Sequence, residues 1–429
     1  MSGREGANEA ARFNGLIEGD RLFADIEAIA EFSESPPEVG YSRPTFSEPW
    51  RRARDYIIAQ AEAAGGEHRI DPSGNVRIRS KAVGWDRRVW LSGSHIDSVP
   101  SGGKYDGVMG VVIPLEIIRA APELPLELVI FAEEEGTTFG LGMLGSRSWC
   151  GTLAVADLAA LRNRHGESYL EAGKKHGVEP ARLGDEASRL DPAGYFGFVE
   201  VHAEQGLSLW NKSEPVAVVT RINGRRQFDI TVRGLENHAG STFMPDRKDA
   251  LAGAAELIIE LEKLGQELHR ELPYTVLTVG SIEAKPNASN VISGRVDLKV
   301  DFRAQEERML DSGSDEIRRI AQEVAEGRGL SVEVAQPERL EPSPLNRGVY
   351  EALQEAGGRR AVEAPLVPSG ALHDAAIIAP RLPTAMVFVA SKEGISHNPA
   401  EFSRIEDIAK AAELVAELVA GAPEGLDRG

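Results

Sequence analysis

Four apolar runs of strand length, far apart in the chain, each end in residues able to bind a proton or a metal. Val89–Gly93 leads into Ser94-His95-Ile96-Asp97, and Leu128–Ala132 into Glu133-Glu134-Glu135-Gly136. Phe196–Val201 leads into His202-Ala203-Glu204-Gln205-Gly206, and Thr384–Ala390 leads through Ser391–Ser396 to His397. Short apolar runs bounded by polar turns read as buried strands of an α/β sheet. In open α/β sheets functional groups gather outside the carboxyl ends of the strands. The repetition therefore predicts that His95, Glu134 or Glu135, His202 and His397 meet at one sheet edge.

Eleven residues after His95 comes Asp106, in the turn Gly102-Gly103-Lys104-Tyr105-Asp106-Gly107, and a helix-like pattern follows over Val108–Leu115. Taken singly, these signals have plainer readings. A His-x-Asp pair is equally a hydrogen-bonded turn, and three adjacent carboxylates at a strand end are equally a solvated acidic turn unless something positive lies among them. Taken together, three histidines, an aspartate and a glutamate supply nitrogen and oxygen donors in the number needed for two divalent cations. Imidazole suits Zn²⁺, Co²⁺ or Ni²⁺, and carboxylate suits these and Mn²⁺. Two cations about 3.5–4 Å apart need a bridging carboxylate, and a turn-held Asp106 has the right shape.

The 429 residues are enough for two domains with well-buried cores. A net charge of −19 argues against nucleic acid as a partner, since phosphates reward basic patches. The single cysteine, Cys150, excludes an intrachain disulfide framework and fits a reducing compartment. The opening MSGREGANEAARFNG lacks an apolar core, and no run approaches about 18 apolar residues, so the expectation is a cytoplasmic protein with no membrane span.

Helical periodicity predicts a first helix over Asn14–Phe32 and another from Ser47-Glu48-Pro49-Trp50 to Ala64. A strand is expected over Asn75–Ile78, polar helices over Ala154–Leu190, and a closing helix over Ile405–Val419. Between residues 216 and 338 the order is strand (Gln227–Val232), helix (Asp246–Leu264), strand (Thr275–Ile282), strand (Arg295–Phe302), helix (Ser314–Gly327) and strand (Leu330–Ala335). This β-α-β-β-α-β order predicts an α+β domain with its helices on one face, inserted into an α/β domain formed by residues 1–215 and 339–429.

The segments HIDSVPSGGKYDG, FAEEEG, VEVHAEQG and ISHNPAE, in this order, resemble the dinuclear-zinc amidohydrolases related to the M20 peptidases. The likeness is to the branch of N-carbamoyl-L-amino-acid hydrolases, β-ureidopropionases and allantoate amidohydrolases. It extends into the insertion, through NHAGSTFMPDRKDA and NVISG followed by DFR. The resemblance implies a mixed-sheet, aminopeptidase-like catalytic domain with a lid and dimerisation insertion, and two divalent cations per subunit (Zn²⁺, Mn²⁺, Co²⁺ or Ni²⁺). One would be held by His95, Asp106 and His202, the other by Asp106, Glu135 and His397. Asp97 would orient His95, and Glu134 would act as general base toward a hydroxide bridging the cations. The glutamate pair is taken as the two before Gly136, because the family pattern ends Glu-Glu-Gly; a shift to Glu133 and Glu134 is the other alignment.

The resemblance further implies that His238 polarises the substrate carbonyl, reaching the site of the other subunit of a homodimer. Gln205, Asn290 and Arg303 would bind the substrate carboxylate, and the backbone at Gly370 and Ala371 would approach it. The sequence departs from the family pattern at Leu372, which replaces a glycine, and at Thr137-Thr138, where relatives have Ser-Arg. His202 stands where peptidase relatives carry a carboxylate, which favours the carbamoylase-like branch. The expected reaction is hydrolysis of N-carbamoyl-L-amino acids to amino acid, CO₂ and ammonia. Allantoate is the alternative substrate, and a peptidase, an aminoacylase or an inactive binding module are the remaining readings.

Overall fold

A computed structural model describes residues 16–421. The chain forms two compact units. The first comprises the residues up to Thr220, Leu345–Val367 and those from His373 onward; the second comprises Arg221–Pro344 with Pro368–Leu372.

Seven strands of the first unit follow one another across a mixed sheet, in the order Gly66–Ile70, Val76–Ser80, Leu126–Phe131, Val89–His95, Tyr195–Ala203, Thr384–Val389 and Val216–Ile222. The four in the middle of this order run parallel to one another. Their flanking neighbours pair antiparallel to them. Every residue of Val89–His95, Leu126–Phe131 and Thr384–Val389 is buried, as apolar strands covered on both faces should be. Because the four are parallel, the carboxyl ends of all of them open on one edge.

The helix Val108–Ala120 is buried from Val108 to Ile118. A helix apolar on all sides must lie inside the unit. Its one buried charge, Glu116, takes a two-pronged ion pair from Arg21, both contacts at 2.6 Å, which ties the helix Gly19–Ala30 to it. The closing helix Ile405–Ala420 packs on the same core helix. Ser47 caps the helix Glu48–Ala63 by accepting the Trp50 N–H.

Several expectations change. The first helix begins at Gly19, and Asn14 lies outside the described residues. A strand at Gly66–Ile70 was not read from the sequence; it pairs with Val76–Ser80. The stretch Ala154–Leu190 forms only short turns of helix, Val155–Ala160 and Tyr169–Gly173 with single 3₁₀ turns. It carries no apolar stripe long enough to hold a helix on the core.

The second unit is a four-stranded antiparallel sheet in the order Ser331–Leu340, Gly224–Arg233, Arg295–Ala304, Val276–Lys285. The helices Ala250–Glu271 and Glu307–Gly327 cover it. Alternate residues along Gly224–Arg233 and Arg295–Ala304 are buried, and Phe228, Ile230, Leu298 and Phe302 form the core with Leu257, Leu261 and Ile317. Its boundaries differ from the expected 216–338. Val216–Val219 pair with Val389–Met386 and so belong to the first sheet, the last strand runs on to Leu340, and Pro368–Leu372 join from far along the chain.

Candidate metal centre

His95 is the last residue of its strand, and the Asp106 turn comes close to it because residue 107 is glycine. Gly107 has φ +65°, and a Cβ there would lie 2.5 Å from the His95 ring. His95 Nδ1 is 3.0 Å from the Asp97 carbonyl oxygen, and His202 Nδ1 is 3.1 Å from the Ala203 carbonyl oxygen. With each Nδ1–H donating to a backbone acceptor, both rings turn Nε2 toward the same point.

Asp106 is shared between two groups of donors. Its Oδ1 is 3.0 Å from His202 Nε2 and 3.9 Å from His95 Nε2, while its Oδ2 is 3.1 Å from His397 Nε2. Glu135 Oε2 is 3.7 Å from His397 Nε2. Within His95, Asp106 and His202, and again within Asp106, Glu135 and His397, the donor atoms lie within 4.8 Å of one another. The first trio is buried; in the second Glu135 is half-buried and His397 exposed.

The electrostatics of this cluster call for a cation. Burial raises the Glu134 carboxyl well above the usual carboxylate range, and Asp374, Glu135, Asp97 and Glu200 add to the effect. Burial does the same to Glu135, with Asp106 and Asp97 adding to it. His95 is pulled down to about 4 by burial, although Asp106 opposes this. Burial also pulls on His202, but the Asp106 and Glu200 carboxylates outweigh it and hold the ring at about 9. Six carboxylates crowded around three imidazoles are a poor arrangement for one another and a good one for divalent metal. The donor set fits two such ions, with Asp106 facing both.

The three consecutive glutamates do three different things. Glu133, at φ 56°, turns away, and its Oε1 accepts the Thr138 and Phe139 N–H groups, both at 2.8 Å. Glu134 brings Oε2 to 3.7 Å from His95 Nε2 without joining either trio. Glu135 is the one among the donors. The Asp97 carboxylate is 3.7 Å from His95 Nδ1 but accepts the N–H groups of Glu134 and Glu135 at 3.3 and 3.1 Å. It is the Asp97 backbone carbonyl, rather than the side chain, that orients His95, and the carboxylate fixes the glutamate turn.

Gln205 lies at the cage itself, donating from Nε2 to Asp106 Oδ2 at 3.0 Å and to Ser396 Oγ at 3.1 Å. The other expected substrate residues belong to the second unit. His238 is exposed in the two-residue strand Asn237–His238, which pairs with Val291–Ile292 beside Asn290. Its Nδ1 accepts the Gly240 and Ser241 N–H groups, so the neutral ring carries its proton on Nε2. Arg303 is held by Asp301 through Nε at 2.7 Å and Nη2 at 3.2 Å, and its Nη1 donates to the Gly370 carbonyl at 3.2 Å. Gly370, Ala371 and Leu372 are in the same unit. Thr137 and Thr138 line a cavity of about 610 Å³ with Ser98, Phe46 and His176.

The sequence profile of the peptidase family M20/M25/M40 matches residues 91–421. The chain belongs to this family. It is similar to the N-carbamoyl-L-amino acid amidohydrolase of Geobacillus stearothermophilus, 35% identical over 93% of this chain and 97% of that one. The allantoate amidohydrolase of Bacillus subtilis is 32% identical over 92% of this chain and 95% of its own. Among solved structures, a hydantoinase/carbamoylase family amidase from Burkholderia multivorans superposes with a TM-score of 0.84 at 32% identity, over 94% of this chain and 97% of that one. The protein is thus an M20-family hydrolase with a candidate divalent-metal cluster at the carboxyl edge of its main sheet, and no helix among its described residues is long and apolar enough to cross a membrane.

Other groups around this M20 cluster had no role assigned from the sequence. Glu200, fully buried, accepts from Ser94 Oγ at 2.7 Å and from the Ala375 N–H at 2.8 Å. Asp374 accepts from Ser146 Oγ, and the His373 ring lies 4.4 Å from that of His202. Glu401 holds the Asp106 turn. The available signals were the alternation Glu200-Val201-His202, which puts two polar side chains on one face of a buried strand, and the four-residue spacing from His397 to Glu401.

Proposed function

We propose that this M20 hydrolase cleaves the ureido C–N bond of N-carbamoyl-L-amino acids, consuming one water and releasing amino acid, CO₂ and ammonia. The observation that carries the reading is the position of Glu134, a carboxyl group beside the cluster that belongs to neither trio. His95, Asp106 and His202 would hold one divalent ion and Asp106, Glu135 and His397 the other. When bound, such ions polarise a carbonyl and lower the pKa of water by several units.

The chain's own groups do the rest. The Asp97 carboxylate fixes the Glu134–Glu135 turn, so Glu134 faces the reacting centre in one orientation. Glu134 takes a proton from the attacking water and returns it to the departing nitrogen. Arg303 has five N–H donors, of which three are engaged by Asp301 and Gly370; one on each Nη remains to donate to a carboxylate. Asn290 adds an amide to that grip. His238, with its proton on Nε2, donates to the ureido oxygen, and in this reading it does so at the site of the partner in a homodimer formed through the second unit.

Ammonia release from a panel of N-carbamoyl-L-amino acids, allantoate and N-acyl-amino acids tests the proposal. Turnover of the carbamoyl compounds above the others supports it. Preference for allantoate, which also offers a ureido group beside a carboxylate, would move the assignment to that substrate, and preference for acyl-amino acids would overturn it.

A further inference from the structure

Among the described residues Asp106 alone faces both trios, with Oδ1 toward His202 and His95 and Oδ2 toward His397, so whatever fixes Oδ2 bears on the His397 side. Glu401 and Ser396, almost three hundred residues further along the chain, converge on it together with Gln205. Glu401, 4% exposed, accepts through Oε2 the backbone N–H groups of Tyr105 at 2.8 Å and Asp106 at 3.1 Å. Its Oε1 accepts from Ser396 Oγ at 2.7 Å. Ser396 in turn accepts from Gln205 Nε2 at 3.1 Å, and Gln205 donates its other amide hydrogen to Asp106 Oδ2 at 3.0 Å. Ser396 Oγ itself lies 3.4 Å from that same oxygen.

The donors and acceptors balance around this ring. Glu401 only accepts, Ser396 donates once and accepts once, and the Gln205 amide donates twice. The turn leaves room for it because residue 103 is glycine; a Cβ there would collide with the Glu401 carboxylate. The Ser396 and Gln205 contacts fall on the Oδ2 side of Asp106, the side facing His397. Glu401 and Ser396 also lie in the loop that carries His397, which is 49% exposed and sits at φ 52°.

We infer that Glu401, acting through Ser396 and Gln205, is a positioning residue that locks the His397 loop to the Asp106 turn and thereby sets the Asp106–Glu135–His397 site. This inference rests on the dinuclear reading above and assigns a group that touches neither substrate nor metal. It predicts a selective effect: without Glu401 the His397 side loses its registration, while His95 and His202 keep theirs through their own strands.

The test is Zn²⁺ titrated into the chelator-treated full-length chain and followed by calorimetry, for the parent, Glu401→Ala and Glu401→Gln. The parent should take up two equivalents. Glu401→Ala should bind one of them about 10- to 100-fold more weakly, the usual cost of removing a group that supports a ligand, and leave the other unchanged. Glu401→Gln, which can still accept the two backbone N–H groups, should recover most of the loss. Unchanged affinity for both equivalents in Glu401→Ala, or equal weakening of both, would overturn the inference, as would a Gln variant no better than the Ala variant. If Glu401→Ala does not fold, Ser396→Ala decides: selective weakening of one equivalent supports the lock, and two unchanged equivalents refute it. A parent chain that binds fewer than two equivalents would defeat the dinuclear reading itself, an outcome distinct from all of these.

Discussion

The two donor trios share Asp106 and little else. His95 and His202 stand on buried strands of one sheet, each ring fixed by a backbone carbonyl within two residues of itself. His397 stands in a loop eight residues past the end of its strand, half-exposed, and its loop is tied to the Asp106 turn by side-chain bonds. The first trio is thus built by the fold and the second by a network laid over the fold. Strand-mounted ligands are precise without help; loop-mounted ligands need supporting partners to reach the same precision. The deep trio should therefore hold its ion against most single substitutions, and the outer one should be the adjustable half.

The largest expected effect separates chemistry from metal holding altogether. Glu134→Gln keeps the shape and leaves both trios complete, so metal content should stay at the parent level. Its kcat should fall by about 10²- to 10⁴-fold, the usual contribution of a positioned acid–base group. Single-turnover rates measured alongside metal analysis check this. A variant with full metal and parental turnover would remove Glu134 from the mechanism, and a variant that loses metal would make it a ligand of the deep trio.

The difference between the trios also accounts for what could be read in advance. The middle strands were legible because burial on both faces leaves a mostly apolar run, and His95, Glu135 and His202 follow such runs within a few residues. The β-α-β-β-α-β order of the second unit was legible for a related reason, since its strands alternate and its helices carry one apolar stripe. Glu401 was legible only as the last residue of ISHNPAE; its role was not, because a carboxylate four residues past a loop histidine shows no partner until the chain brings Tyr105 against it. The split duty of Asp97 was hidden in the same way: a sequence names the residue but not whether its carbonyl or its carboxylate does the orienting. Val216–Thr220 went to the wrong unit because strand pairing with the Thr384–Val389 strand is a long-range fact with no local sign.

His397→Ala sharpens the comparison directly. It removes one donor from the exposed trio and none from the buried one, so one of the two metal equivalents should be lost and the other retained. His202→Ala does the converse at a buried position, where the Asp106 carboxylate loses its 3.0 Å partner, and should cost the deep equivalent together with some stability. Stepwise metal release under increasing chelator, read by atomic absorption, distinguishes them. Loss of both equivalents in His397→Ala would mean that the trios are not separable.

The smallest effect concerns the chain stripped of metal. Burial raises Asp97 to about 6 and, with help from Asp97, raises Glu133 to about 7; burial together with Asp106 raises Glu401 to about 7. Unfolded carboxyls titrate near about 4. A carboxyl whose folded value is raised gives stability that is whole below its unfolded value and disappears as pH climbs through its folded value. His202, held at about 9 against about 6.5 when unfolded, has the same sign, with stability complete below its unfolded value and lost as pH rises through 9. His95, lowered to about 4, acts only below about 6.5 and does not oppose this trend above that pH. The metal-free chain should therefore lose stability from about pH 4 to about pH 9, first through the carboxyls and then through His202, with His95 offsetting part of the loss below about pH 6.5, and each tenfold difference in proton affinity between the folded and unfolded chain is worth roughly 1.4 kcal/mol. Adding divalent metal should reverse the slope, because ions bind the deprotonated ligands and compete better as protons become scarce. Melting temperatures of chelated and metal-loaded protein across that range measure it. A flat or rising profile for the chelated chain would mean that the carboxylate cluster is relieved by something other than metal, and the contrast between a cage built by strands and a cage built by side-chain bonds would then have to be drawn without the ions.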